Sequence, residues 1–285
     1  MLNIRGLDPS ARSSQCWKVP YLENLVHQSI ESYFFISITE TWLIPAITKA
    51  QMEIHGYELF RSDRCDRERG GSCLYIKEEL IVSDHLTYDN DYCEVIACYV
   101  DTVKTLIVSV YRPGKTPHQK FKGAMDFIQQ CIDVKDDSWT LIITGDFNFP
   151  SICWKTLRFL SGGSDCGQCA NVLLHFMELN MLSQVVGKPT RKAESGVENI
   201  LDIVLTNSEE SFREVETLDT SLSDHKYVSI ILSDYFQGPK QNKNKLTKSF
   251  SHTAEVSFSS LNFHKADFEK NQFGSGKIGV GSTEV

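Results

Sequence analysis

The chain has 285 residues, 41% of them hydrophobic and 23% charged, and a formal net charge of −8. That length bounds it to one domain of α/β size or two small ones, and no apolar run approaches the roughly 18 residues needed to cross a bilayer. The acidic balance argues against a protein that holds nucleic acid by charge alone, so action on DNA or RNA requires a local basic face or cations over its carboxylates.

From the N-terminus, "MLNIRGLDPSARS" has no basic region followed by a long apolar one, so no secretory leader is read there and an intracellular protein is expected. A helix-like stretch follows, "VPYLENLVHQSIESY", and then a short apolar run, "YFFISI" (33–38), of the kind that forms a buried strand. Further strands are read at "IACYV" (96–100) and "TLIVSV" (105–110). The helix "TPHQKFKGAMDFIQQCID" opens on Thr116 as N-cap with Pro117 at the first helical position. "LIIT" (141–144) is a strand, "CANVLLHFMELNML" a helix, and "LDIVLT" (201–206) and "YVSIIL" (227–232) are strands. Strands mixed with helices without strict alternation predict a layered α/β architecture, its sheets covered by helices.

Nine cysteines in a chain this long do not make a disulfide framework. Cys166 and Cys169 form a lone C-x-x-C without a second ligand pair at zinc spacing, which favours packing over metal. Beyond about Ser233 the sequence turns polar and Lys-rich, then Gly- and Ser-rich, so residues 1–235 are read as the domain and 236–285 as linker and poorly ordered tail. Gly274, Gly276 and Gly279 there match G-x-G-x-x-G without a preceding strand or a following helix, and Ile278 stands where a P-loop needs Ser or Thr; both nucleotide readings are rejected.

The strand ends carry the chemistry. Glu40 follows "FFISIT", Tyr111 follows "LIVSV", Asp146 and Asn148 follow "LIIT", Asp202 sits within "ILDIVLT", and Asp224 and His225 precede "KYVSIIL". Singly, most of these have an ordinary role as a solvated carboxylate, a turn residue or a packed tyrosine. Ligands gather where strand ends converge in layered α/β proteins, so the set in this order points to one cleft. Hard oxygen donors such as Glu40 suit Mg²⁺ or Mn²⁺, a second Asp could orient or deprotonate a water, and an imidazole fixed by a carboxylate could meet phosphate oxygens. With Asn148 and Tyr111 as donors to developing negative charge, the combination describes phosphodiester hydrolysis.

"SITETWL", "SVYRPG", "TGDFN", "LDIVLTN" and "LSDHKYVSI", in that order, resemble the successive motifs of the endonuclease/exonuclease/phosphatase superfamily. More narrowly, the chain resembles the apurinic-type endonuclease domain of non-LTR (LINE-like) retrotransposons, with supporting stretches "NIRGL", "GYELFRSDR", "RGGSCLYIK" and "KPTR". The resemblance runs from about Asn3 to Leu232. It implies a mixed α/β fold, a four-layer sandwich of two packed β-sheets flanked by helices. It assigns the metal, Mg²⁺ or Mn²⁺, to Glu40 with Asn3 nearby and Asp224 directed towards it. Tyr111 then contacts the scissile phosphate, Asp146 activates or positions the attacking water, Asn148 orients the phosphate, and Asp202 holds the catalytic His225. Thr190 and Arg191 are expected on a DNA-facing rim. DNA is the implied partner, without a membrane; a reverse transcriptase domain is expected in the parent polyprotein, and the nucleus is the expected compartment. The pattern departs in three places: Asn3 follows Met1 so closely that the first strand is nearly absent, which is expected to weaken the core and misplace Asn3; no reverse transcriptase follows; and the overall acidity leaves DNA affinity unexplained by charge. "NFHKADFEK" (262–270) looks like the segment after the nuclease in such polyproteins, so the chain is expected to be a fragment of one. The competing readings are a phosphodiesterase of the same fold acting on a lipid or small phosphoester, and a decayed or domesticated remnant.

Overall fold

The computed structural model describes residues 1–7, 18–28, 33–63, 69–160 and 164–233; the expected tail, its glycine motif and the 262–270 segment lie outside them. In chain order the elements are β1 (Leu2–Asn3), α1 (Val19–Gln28), β2 (Phe35–Thr39), β3 (Tyr57–Ser62), β4 (Ser72–Lys77), β5 (Val82–Asp89), β6 (Glu94–Val100) and β7 (Thr105–Tyr111). They continue with α2 (His118–Asp133), β8 (Thr140–Asp146), β9 (Ile152–Cys153), β10 (Arg158–Phe159), α3 (Ser164–Leu179), β11 (Ser183–Gln184) and β12 (Arg191–Lys192). The last are β13 (Glu198–Asn199), β14 (Asp202–Thr206), β15 (Phe212–Leu218) and β16 (Tyr227–Leu232).

Two sheets carry the fold. One has four strands in the order β1-β2-β4-β3, the other six in the order β11-β14-β8-β7-β6-β5. Met1 extends the first sheet to β16: its amino group donates to the Val228 carbonyl at 2.8 Å and its carbonyl accepts the Val228 N–H at 2.9 Å. The strand period of two sorts the side chains. On β7, β8 and β14, Leu106, Val108, Val110, Leu141, Ile143, Ile203 and Leu205 face the core shared with α2 and α3. The alternate positions Ile107, Ile142 and Val204 enter clusters with residues of the other sheet such as Leu74, Ile76 and Val228. α2 buries Phe121, Ala124, Met125, Ile128 and Cys131, a helical stripe. α1 buries Val19, Leu22 and Val26 against the far face of the four-stranded sheet. The layers are therefore helix, sheet, sheet, helix, the mixed α/β four-layer sandwich that the motifs imply.

Several sequence expectations shift in detail. α2 starts at His118 with Pro117 as its N-cap, and the Thr116 hydroxyl donates to the Pro113 carbonyl at 2.6 Å. α3 starts at Ser164, ahead of the apolar run, so Cys166 and Cys169 share its first turns; Cys169 is buried in the core and Cys166 packs against it, as the packing reading expects. No helix among the described residues is long and apolar enough to cross a membrane.

Candidate active site

The same period of two that fills the core delivers the polar set. Tyr111, Asp146 and Asp202 continue the inward series of β7, β8 and β14, and register puts them side by side: Tyr111 pairs with Asp146, and Asp146 with Asp202. Asp202 thus begins its strand, at the end where β7 and β8 finish. In the facing sheet Asn3 pairs with Thr39, and Glu40 follows immediately. Gly145 permits the arrangement: its φ is +152°, and a Cβ there would lie 1.8 Å from the Val110 carbonyl oxygen. No side chain fits that gap.

Hydrogen bonds tie the two sheets together. Asn3 Nδ2 donates to Asp146 Oδ2 at 2.7 Å and to Glu40 Oε1 at 3.2 Å. Tyr111 donates to Glu40 Oε1 at 3.0 Å, and the Trp42 indole N–H to Glu40 Oε2 at 3.2 Å. The Asn148 backbone N–H donates to Asp146 Oδ1 at 3.0 Å. His225 Nδ1 lies 2.7 Å from Asp202 Oδ2, and both residues are buried. Short as β1 is, Asn3 stands between the two carboxylates. Glu40, Trp42, Asn148 and Arg5 have φ between +49° and +55°, a left-handed backbone. It costs a non-glycine residue about 1–3 kcal/mol and persists where its surroundings over-determine it.

The electrostatics are those of a crowded anionic pocket. Burial raises the Asp146 pKa from its ordinary 3.8, and the Asp202 and Glu40 charges push the same way, against His225 and the Asn3 hydrogen bond. Burial, then Glu40 and Asp146, hold the Tyr111 phenol protonated far above its usual range. Burial alone would lower His225, but the Asp202 hydrogen bond and charge, with Asp146 and Asp224 behind them, leave it above 6.5.

These donors fit a hard divalent cation. Asp146, Asp202 and His225 offer ligand atoms within 4.8 Å of one another, Glu40 stands across Asn3, and Asp202 Oδ1 is buried without a hydrogen-bond partner. Buried carboxylates of one sign need a counter-charge, and carboxylate oxygens suit Mg²⁺ or Mn²⁺. The expected metal set is only partly gathered. Asn3 and Glu40 meet, whereas Asp224 is engaged by arginines: its Oδ2 accepts from Arg5 Nη1 at 2.8 Å and from Arg191 Nε at 3.0 Å. Burial would raise Asp224, but the Arg5 hydrogen bond and both arginine charges hold it below 3.8.

Thr190 and Arg191 part company. Thr190 is fully buried, and its hydroxyl accepts the Leu201 and Asp202 N–H groups at 3.0 and 3.1 Å, bracing the start of β14 away from any rim. Arg191 is 35% exposed at its side chain and bridges to His225 through the backbone.

Arg112 and Trp42 lie inside the quoted motifs without having been singled out. Arg112 is fully buried; its Nη1 donates to the Phe147 and Asn148 carbonyls at 2.8 and 3.1 Å, its guanidinium lies 4.0 Å from the Phe149 ring centroid, and its own carbonyl accepts from Asn148 Nδ2 at 2.9 Å. An arginine in "VYRPG" reads as exposed by composition, and no periodicity marks it otherwise.

A known family matches part of the sequence, and solved structures match the fold. Residues 105–229 match the family described as "Endonuclease-reverse transcriptase". No curated protein sequence matches the chain. Among solved structures, the 3′ phosphatase NExo from Neisseria, bound to a product DNA hairpin, aligns with a TM-score of 0.59 at 16% identity over 81% of this chain and 97% of its own. The endonuclease domain of TRAS1, a telomere-specific non-LTR retrotransposon, aligns at 0.51 and 13% identity over 78% and 93%. D. rerio TDP2, complexed with a single-strand DNA product, gives 0.51 and 13% over 76% and 91%. The chain is thus similar to the "Endonuclease-reverse transcriptase" family over residues 105–229 and shares its sandwich fold with nucleases and phosphatases of the endonuclease/exonuclease/phosphatase type.

Proposed function

We propose that the chain is a Mg²⁺-dependent (or Mn²⁺-dependent) DNA endonuclease of retrotransposon type, which nicks target DNA so that the exposed 3′-hydroxyl primes reverse transcription. One observation carries the reading. Two carboxylate systems from different sheets meet in a single buried pocket: Glu40 and Asp146 joined through Asn3, and the Asp202–His225 pair whose donor atoms lie within 4.8 Å of Asp146. A bound divalent ion, held by Glu40 and its neighbours, supplies positive charge for the phosphate oxygens.

The protein's own groups do the rest. Asp146, its carboxyl held by Asn3 and by the Asn148 N–H, orients the attacking water and takes its proton. Asp202 fixes His225 Nδ1, leaving Nε2 for the phosphate, and the Asp202 hydrogen bond and charge favour the protonated ring that would stabilise developing charge. Tyr111, held protonated, and Asn148 add neutral donors. Arg191 meets the DNA backbone, and Thr190 acts one step removed by fixing Asp202. Such activity places the protein in the nucleus, with a reverse transcriptase domain in its parent polyprotein.

Substrate class is tested by offering labelled duplex DNA and a panel of phospholipids to the protein in Mg²⁺, then extending any cut DNA with a polymerase. Cut DNA that extends from a 3′-hydroxyl, with the lipids untouched, is the expected result. Turnover of a phospholipid with intact DNA contradicts the reading.

A further inference from the structure

Beside Glu40 lies a cleft of about 530 Å³ with no part in the chemistry above, walled in part by Arg5, Lys18, Trp42, Leu222 and Asp224. Its connection to the reacting groups is direct. Trp42 borders the cleft while its indole N–H holds Glu40, and Asp224 borders it one residue before His225.

Arg5 and Asp224 on that wall, with Arg191 reaching Asp224 from outside the lining, do not suit a metal. Three guanidinium nitrogens converge on the single oxygen Asp224 Oδ2: Arg5 Nη1 at 2.8 Å, and Arg191 Nε and Nη2, each at 3.0 Å. Two cations on one anion leave a net positive pair. Asp224 also takes only part of the donor capacity of either guanidinium. The Arg5 and Arg191 side chains are 40% and 35% exposed, open enough to meet a ligand. Lys18 adds a third cation, its Nζ pinned on the Ile4 and Leu222 carbonyls at 2.7 and 2.8 Å. On a chain of net charge −8 this is the local basic face that nucleic-acid binding requires. Paired, partly desolvated arginines are suited to a phosphate, whose oxygens accept their fork of N–H groups.

We infer that this cleft is a subsite for a second backbone phosphate of the DNA strand, next to the phosphate that is cut, and that Asp224 serves it by holding Arg5 and Arg191 in place instead of binding the metal. The inference rests on the DNA endonuclease reading and assigns Asp224 as a positioning residue. It separates the two halves of the rim: Glu40 belongs to the cation, Asp224 to the strand.

Two measurements test it. The first is fluorescence anisotropy of a labelled duplex across a salt series in EDTA, for the wild type, Arg5→Gln and Arg191→Gln, each shown to be folded by circular dichroism. Each substitution should weaken binding several-fold and reduce the slope of log affinity against log salt by about one. The second is Mg²⁺-dependent thermal stabilisation of the wild type, Glu40→Gln and Asp224→Asn. Asp224→Asn should keep the wild-type Mg²⁺ midpoint within about twofold, while Glu40→Gln loses it. Wild-type binding and slope in both arginine variants, or loss of the Mg²⁺ midpoint in Asp224→Asn, overturns the subsite and leaves the endonuclease reading standing. A folded wild type that binds no duplex even at low salt overturns both.

Discussion

Asp146 pays for its position with ionisation. A carboxyl buried against Asp202 and Glu40 binds its proton more tightly folded than unfolded, with a pKa raised from 3.8 to about 8. The sign follows from linkage: between those values the unfolded chain has lost the proton that the folded chain keeps, so this group's contribution to stability is full below about 4 and declines as pH rises towards 8. In EDTA, the stability of the wild type relative to Asp146→Asn should therefore fall across that window, and Mg²⁺ should flatten the fall by supplying counter-charge. Denaturant melts at a series of pH values measure it; a difference independent of pH contradicts the assignment. Residues of this kind are legible in sequence because they sit at fixed offsets from apolar runs, as Glu40, Tyr111, Asp146 and His225 do. What Asp224 and Thr190 do was not legible. Asp224 is held by Arg5, 219 positions away, and by Arg191, and Thr190 is turned inward by N–H groups at Leu201 and Asp202. No local pattern encodes contacts of that range.

At the scale of elements, the strands read correctly were the continuous apolar ones: β2, β6, β7, β8 and β14, covered on both faces or nearly so, and β16, half-buried along most of its length. β5, largely exposed, and β15, no more than half-buried, escaped because they are rich in charged and polar residues, "VSDHLTYD" and "FREVETL". β3 and β4 lay inside family-like stretches that carried no clear alternation. The turn from β8 into the loop that carries Asn148 depends on two devices. Arg112 fastens the Phe147 and Asn148 carbonyls from below, and Gly145 lets β8 pass the Val110 carbonyl without a side chain. Gly145→Ala should consequently cost about 3 kcal/mol or more, through a clash with backbone and a φ that alanine resists. Urea denaturation of the purified variant measures this; a loss below about 1 kcal/mol would show that β8 and β7 can part without consequence.

For the whole molecule, composition and periodicity supported a layered α/β protein and no more. Two sheets packed face to face came from the motif resemblance, because local patterns do not say which strands share a sheet. The structure supplies the reason that this architecture suits the chemistry. Each sheet offers strand ends at the same edge, Asn3 and Glu40 from one, Tyr111, Asp146 and Asp202 from the other, so the polar groups close over the seam between them. Buried hydroxyls deepen the seam: Ser109 lies 2.8 Å from Ser37 and 2.7 Å from Ser72. Breaking the pocket at either sheet should therefore stop the reaction without unfolding the chain.

The measurement that tests this most directly is conversion of supercoiled plasmid to open circles by purified protein in Mg²⁺, beside EDTA, Asp146→Ala and His225→Ala. The account predicts nicking in Mg²⁺ alone, lowered about 100-fold or more in each variant while both remain folded. Intact plasmid with folded wild-type protein, or undiminished nicking by Asp146→Ala, would contradict it.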